Sequence, residues 1–336
     1  MGKIMNNRTP GLFDSWQRQI NYFRISVTDH CNLNCIYCSV SETPRLRHED
    51  ILSYEEIERI IRAAAEMGIN KIRLTGGEPL MRPDFCELVR MITRIEGIDD
   101  LSLTSNGILL ARFADELKKA GLKRVNISLD TLKRDKFKQI TGHDKLKDVL
   151  AGIEAAHKAG LEPVKINMVP LKGINDDELV DFARKTINDG WHIRYIEYMP
   201  ISTPNGKVTA MVSTREIKEI IQVLGELEPY IGPGGNGPAR YYRFPDAKGT
   251  VGFITPMTEH FCGTCNRLRM TSDGNLRPCL LANEEVNLKE ALRRGADTDE
   301  IKRFIQKAVN LKRKEHDLDG KIAPETDGRP MCQIGG

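Results

Sequence analysis

Cys31-Asn32-Leu33-Asn34-Cys35-Ile36-Tyr37-Cys38 carries three thiols in a C-x3-C-x2-C pattern. It follows Tyr22-Phe23-Arg24-Ile25-Ser26-Val27-Thr28, whose apolar and polar residues alternate as in a β-strand. Three is the informative count. A structural zinc ion takes four protein ligands and a secreted disulfide framework an even number, whereas a cubane of four irons held by three thiolates keeps one iron open for chemistry.

Downstream the chain repeats a strand and helix unit. Ser53 reads as an N-cap with Glu56 three residues on, and Ile57, Ile60, Ile61, Ala64 and Met67 follow helical spacing up to Gly68. Asn70 to Thr75 is the next strand, then Gly76-Gly77-Glu78-Pro79 and a helix with Phe85, Leu88, Val89, Ile92 and Ile95 on its inner face. Further strands are expected at Leu101 to Thr104, Val125 to Leu129, Pro163 to Val169 and Ile193 to Tyr198, with helices between them. Such alternation implies an α/β fold, a parallel sheet with right-handed crossovers whose six strands either remain open or, as expected here, curl into a partial (β/α)6, TIM-like barrel. The cysteine loop, Gly76-Gly77-Glu78-Pro79, Ser105-Asn106-Gly107 and Asp130 all fall at carboxyl ends of strands, the face on which such folds build their sites.

Past Pro200 the alternation stops, with Pro- and Gly-rich connections at residues 203–206 and 232–238. A boundary is expected near 200–212, giving a flexible N-terminus (1–14), a barrel domain (15–205) and a smaller C-terminal α+β domain (206–336). The latter holds Cys262-Gly263-Thr264-Cys265 and, thirteen residues later, Cys279. A zinc ribbon would want a fourth ligand, for which His260 is the best candidate. Arg267 and Arg269, one residue apart on a strand, face the same side, and paired guanidinium forks suit phosphate oxygens.

Composition narrows the classes. With 336 residues, 40% hydrophobic, there is material for a large core, and no apolar run approaches the roughly 20 residues that span a bilayer. The net charge of +3 is spread along the chain, so neither nucleic acid nor a membrane is an expected partner. The first fourteen residues lack an apolar leader, and eight cysteines without one argue for thiolate ligands in a reducing, cytoplasmic setting.

The three-cysteine loop is similar to the signature of the radical S-adenosylmethionine superfamily, and Gly76-Gly77-Glu78-Pro79 resembles the segment that receives the methionine end of that cofactor. Two glycines there are read as allowing the backbone to approach a ligand closely. The combination of this motif with Gly237-Pro238-Ala239-Arg240-Tyr241, Arg267-Leu268-Arg269 between flanking cysteines, and a terminal Gly335-Gly336 resembles the GTP 3',8-cyclase family of molybdenum cofactor biosynthesis, from Arg24 to Gly336.

The resemblance implies two [4Fe-4S] clusters, one on Cys31, Cys35 and Cys38 and one on Cys262, Cys265 and Cys279. It implies S-adenosylmethionine contacts at Tyr37, Gly76, Gly77, Glu78, Ser128 and Met199, and GTP contacts at Arg24, Arg73, Thr104, Lys165, Arg267, Leu268 and Arg269. Arg24, Gly335 and Gly336 would serve catalysis, the tail entering the pocket. The implied reaction has a 5'-deoxyadenosyl radical take hydrogen from C3' of GTP, after which C3' attacks C8 of guanine. An unidentified electron donor and a downstream cyclic pyranopterin monophosphate synthase are implied partners of a monomer or homodimer. Bottom-up, Arg24, Arg73, Thr104, Ser128 and Lys165 all lie on or at the end of parallel strands, where polar and charged side chains need a ligand. The alternatives are a peptide-modifying radical enzyme with an auxiliary cluster and a non-catalytic metal or nucleotide-binding module. Ser39-Val40 after the third cysteine and a short 201–206 segment depart from the family pattern.

Overall fold

The computed structural model describes residues 11–38, 44–201, 211–234, 237–316 and 329–335. Six parallel strands follow one another as expected: β1 (Tyr22–Ser26), β2 (Lys71–Thr75), β3 (Asp100–Ser105), β4 (Arg124–Ser128), β5 (Lys165–Met168) and β6 (His192–Ile196). Between them run α1 (Tyr54–Glu66), α2 (Phe85–Thr93), α3 (Leu110–Lys119), α4 (Arg134–Thr141), α5 (Leu146–Lys158) and α6 (Leu179–Asn188). The Ser53 capping box forms: Glu56 N–H donates to Ser53 Oγ at 3.2 Å and Ser53 N–H to Glu56 Oε2 at 2.7 Å.

The C-terminal third does not make a sheet of its own. After α7 (Thr214–Ile221), the strands β7 (Glu228–Pro229), β8 (Arg240–Arg243) and β9 (Thr250–Ile254) extend one edge, with β9 parallel to β6 and the other two antiparallel. Strands β10 (Arg267–Met270), β11 (Asn275–Arg277) and β12 (Val286–Asn287) extend the opposite edge, with β10 parallel to β1. Among the described residues the result is one twelve-stranded sheet, ordered β12-β11-β10-β1-β2-β3-β4-β5-β6-β9-β8-β7. The strands of the C-terminal region, expected as a smaller α+β unit, thus join the sheet of the first six strands on both sides. Neither β9 nor β10 follows a crossover helix, so no local periodicity marks them as parallel.

The helices α8 (Lys289–Arg293) and α9 (Thr298–Asn310) follow, and α10 (Met331–Ile334) closes the described chain. The boundary near 200–212 lies largely outside the described residues. Of the stretch expected to be flexible, two residues are buried: Leu12 joins the core, and Asp14, 3% exposed, accepts from Arg18 Nε at 2.6 Å.

Each central strand has two chemically different faces. On β1, Phe23 and Ile25 are fully buried in the main hydrophobic cluster, whereas Arg24 between them borders an internal cavity. On β10, Leu268 and Met270 pack into the core and Arg267 and Arg269 border the same cavity. Parallel strands covered by helices are normally apolar on both faces. Here the second face is reserved for something polar.

Candidate active site

The cavity, about 240 Å³, is walled by side chains from every parallel strand between β10 and β9, so the parallel part of the sheet wraps round it. Arg24, Arg73, Thr104, Ser128, Arg267 and Arg269 all line it, together with Tyr37 and Met199 from the mouth. Cys262, Cys265 and Cys279 line it from the other side.

Strand register puts three arginines in a row: Arg269 on β10 lies opposite Arg24 on β1, which lies opposite Arg73 on β2. Like charges on adjacent positions repel. Burial, then Arg269, Arg73 and Arg267, lowers the Arg24 guanidinium well below its ordinary pKa, and burial with Arg267 pulls Arg269 down to about 10. Arg73 donates to Ser102 Oγ at 3.2 Å and Arg269 to the Gly335 carbonyl at 3.0 Å, both neutral acceptors. Beside them Thr104 Oγ1 and Asn167 Oδ1 are buried without a hydrogen-bond partner. Buried polar atoms of this kind are the mark of a missing ligand.

The tail reaches this row. Gly335 adopts φ +68°, and a Cβ there would meet Thr75 Cγ2 at 2.8 Å and Ser26 Cβ at 3.3 Å, over the carboxyl ends of β1 and β2. Gly336 lies outside the described residues, as do Ser39 and Val40.

The two thiol sets differ in surroundings. In the first loop burial pushes Cys31 up to about 11 and raises Cys35 further; Cys38 is raised by the adjacent Cys332 thiol and by burial. Asn106 Nδ2 donates to Cys31 Sγ at 3.8 Å, and Tyr37 Oη donates to Asp130, whose carboxyl burial lifts to about 6. In the second loop burial would raise Cys265, but Arg267 and Lys312 outweigh it and bring the thiol down to about 6. Lys312 Nζ lies 3.7 Å from Cys265 Sγ and donates to the carbonyls of Arg267 and Pro278 at 2.9 and 2.8 Å. Both donor sets, three thiols each with no disulfide partner, fit iron-sulfur clusters.

Some expected site residues are placed differently. A Cβ on Gly76 would meet Thr28 O at 2.4 Å, and one on Gly77 would meet His30 O at 2.2 Å. These glycines allow the loop to seat against the backbone that leads into the cysteines, and Gly77 N–H and Glu78 N–H donate to those same carbonyls, each at 2.7 Å. Glu78 is fully buried, accepting from Ser105 Oγ at 2.9 Å and from the Asn106 and Leu80 N–H groups at 2.7 and 3.1 Å. Its carboxylate is thus spent on holding two mouth loops together. Leu268 points into the core. Lys165 lies beneath the cavity, donating to the Gly234 carbonyl at 2.6 Å; burial, then Arg194, Arg124 and Arg73, lowers its pKa to about 6.

Sequence reasoning missed Arg194 on β6, which borders the cavity and donates to Asn126 Oδ1 at 2.7 Å. The signal was available, a charge within a buried parallel strand. It also missed Lys312, for which no local signal exists, since tertiary packing alone brings the end of α9 to Cys265.

Comparison with known proteins accords with this geometry. Residues 25–186 match the Radical SAM superfamily model and residues 191–318 the model described as Molybdenum Cofactor Synthesis C. The chain is 52% identical over 326 residues to the GTP 3',8-cyclase of Pelotomaculum thermopropionicum, covering 96% of this chain and 99% of that one. It belongs to the GTP 3',8-cyclase family. The cyclase of Moorella thermoacetica is 50% identical over 325 residues, with the same two coverages of 96% and 99%. Among solved structures, Streptococcus suis SuiB bound to S-adenosylmethionine superposes with a TM-score of 0.60 at 17% identity, over 86% of this chain and 68% of that one. That likeness, like the TM-score of 0.58 to anSMEcpe with bound AdoMet at 17% identity over 88% and 82% of the two chains, shows a shared fold.

Proposed function

We infer that this chain converts GTP into (8S)-3',8-cyclo-7,8-dihydroguanosine 5'-triphosphate, an early step of molybdenum cofactor biosynthesis. The observation that carries the reading is the row Arg269, Arg24 and Arg73 across three parallel strands, in which, among the described residues, Arg269 and Arg73 donate to neutral acceptors. A polyanion is the natural complement of stacked guanidinium forks, and a triphosphate spans such a row. A cluster on Cys31, Cys35 and Cys38 together with S-adenosylmethionine, when bound, supplies the 5'-deoxyadenosyl radical that takes hydrogen from C3'.

The chain's own contribution is to position and to exclude. Tyr37, Ser128 and Met199 border the mouth on the side of the first thiol set, where they can hold the cofactor between that set and the nucleotide. Cys262, Cys265 and Cys279, which line the same cavity, would hold the second cluster, which would supply an open iron for a nucleobase. Arg269 binds the Gly335 carbonyl, so the glycine tail closes the pocket over the arginines and keeps water and stray hydrogen donors out. Gly335 and Arg24 therefore act by shaping the reacting space.

The test is anaerobic. The chain, reconstituted with iron and sulfide, is incubated with dithionite, S-adenosylmethionine and GTP, and 5'-deoxyadenosine and the cyclised nucleotide are measured. Equal amounts of both are expected. GTP-independent 5'-deoxyadenosine with no cyclised nucleotide would overturn the reading and favour a different substrate.

A further inference from the structure

The second thiol loop carries a feature that cluster ligation does not use. Next to Cys262 stand two histidines, His260 from the same loop and His316 from the segment after α9. One ligand atom from each of the three residues lies within 4.8 Å of the other two, and the imidazole centroids are 4.1 Å apart. All three residues are partly buried.

The histidine pair is held as ligating imidazoles are held. His260 Nε2 faces the Met257 carbonyl at 3.2 Å, and His316 Nε2 faces the Pro256 carbonyl at 2.9 Å. A carbonyl accepts only from a protonated nitrogen, so with Nε2 turned to these carbonyls Nδ1 is the ring atom each histidine would offer a metal. Engagement of one ring nitrogen by a carbonyl is the arrangement that fixes the tautomer of a metal-binding histidine.

The carbonyls themselves are fixed. Buried Glu197 accepts from the Met257 and Thr258 N–H groups at 3.0 and 3.1 Å. Arg18 then clasps the two segments together, donating to the Cys262 carbonyl at 2.6 Å, the Arg313 carbonyl at 2.7 Å and the Lys314 carbonyl at 3.1 Å, while Asp14 holds its Nε.

We propose that His260, Cys262 and His316 form a site for a single divalent transition-metal ion, best matched to Zn²⁺, that excludes the second cluster because both need Cys262. Two imidazoles and one thiolate make a borderline-soft donor set that suits zinc, and a fourth position remains for water or a neighbouring thiolate. Binding releases the Cys262 proton and involves no electron transfer. The proposal stands apart from the cyclase reading, since it concerns the chain before the second cluster is in place.

The test uses the full chain, stripped of metal by a chelator under anaerobic conditions and carrying Cys31→Ser, Cys35→Ser and Cys38→Ser so that the first thiol set cannot contribute. Zn²⁺ is titrated against a chromophoric competitor, and Co²⁺ reports the ligand set by its visible and thiolate charge-transfer absorption. One equivalent of Zn²⁺ is expected to bind. Adding Cys265→Ser and Cys279→Ser should leave the affinity within about threefold, with a thiolate band still present. His260→Gln with His316→Gln should weaken it by about a hundredfold, on the scale of lost coordination contacts. The histidine variant, tested with the first thiol set intact, should still take up about eight irons, which shows that it is folded. Zinc binding that survives the histidine changes, or that vanishes with Cys265 and Cys279, would overturn the proposal; either result would place the ion on the three cysteines instead.

Discussion

The two cysteine loops share a count of ligands and little else. The first is set among neutral or acidic neighbours, Asp130, Glu78 and Cys332, and its thiols are held protonated well above their ordinary range. The second lies under Arg267 and Lys312, which make a thiolate of Cys265 at neutral pH. Metals must be bound by thiolates, so the first loop gives up protons as it is loaded, whereas in the second Cys265 is already ionised and Cys262, raised by burial, still gives up its proton. The same cations that ionise Cys265 continue along β10 into the arginine row. On the proposed reading the second loop is one end of the anion site and the first a separate compartment for radical generation.

Removing one loop at a time separates these roles most strongly. Cys31→Ser, Cys35→Ser and Cys38→Ser together should leave about four of eight irons and reduce 5'-deoxyadenosine formation by at least ~10³-fold. The matching replacement of Cys262, Cys265 and Cys279 should also leave about four, but with S-adenosylmethionine cleavage still detectable. Iron uptake by the first loop alone should fall more steeply as pH drops from 8 to 6 than uptake by the second alone, because more protons must leave. Parallel pH curves for the two would break the comparison.

The arginine row comes next in size. Arg269→Ala removes a charged donor to the nucleotide and to Gly335, and should weaken GTP by about 2 kcal/mol, roughly 30-fold, with iron content unchanged. Gly335→Ala, forced out of its left-handed conformation and into Thr75, should lower cyclisation while sparing both clusters. Calorimetric GTP titration and iron analysis distinguish the two effects.

The electrostatic difference can be read directly in the metal-free chain. At pH 7 a thiol near 6 is mostly ionised and one near 11 scarcely so. Allowing for the lower intrinsic reactivity of the more acidic thiolate, Cys265 should be alkylated by iodoacetamide on the order of 50-fold faster than Cys31. The folded value lies below the ordinary 9.0, so protection should appear only as pH falls through about 6. Lys312→Ala should narrow the gap. Peptide mass spectrometry gives the rates.

The smallest effect is expected at Tyr37→Phe. It loses one hydrogen bond to Asp130 beside the first loop, worth about 1 kcal/mol, and should change the S-adenosylmethionine affinity only a few-fold.

What could be read from the chain followed local periodicity. The six strands from β1 to β6, the Ser53 cap and the alternation that puts Arg267 and Arg269 on one face are properties of neighbouring residues, and each is found in the structure. What could not be read depends on residues far apart in sequence. The parallel pairing of β10 with β1 and of β9 with β6 has no crossover helix to announce it. The reach of Lys312 to Cys265, and of His316 to Cys262, is set by how α9 and the segment after it return to the barrel mouth. Glu78 and the two glycines were legible as important but not in role. Their neighbours are the Thr28–His30 backbone and the Ser105-Asn106 loop, which only the folded arrangement brings to them.

The division of labour between the loops is tested most directly by the GTP affinity of the two triple-serine chains, measured anaerobically by calorimetry after iron reconstitution. Loss of Cys31, Cys35 and Cys38 should leave the affinity within about threefold of the parent, whereas loss of Cys262, Cys265 and Cys279 should weaken it by at least tenfold. Equal losses in both chains, or a larger loss from the first loop, would contradict the assignment of the nucleotide to the arginine row and its cysteine neighbours.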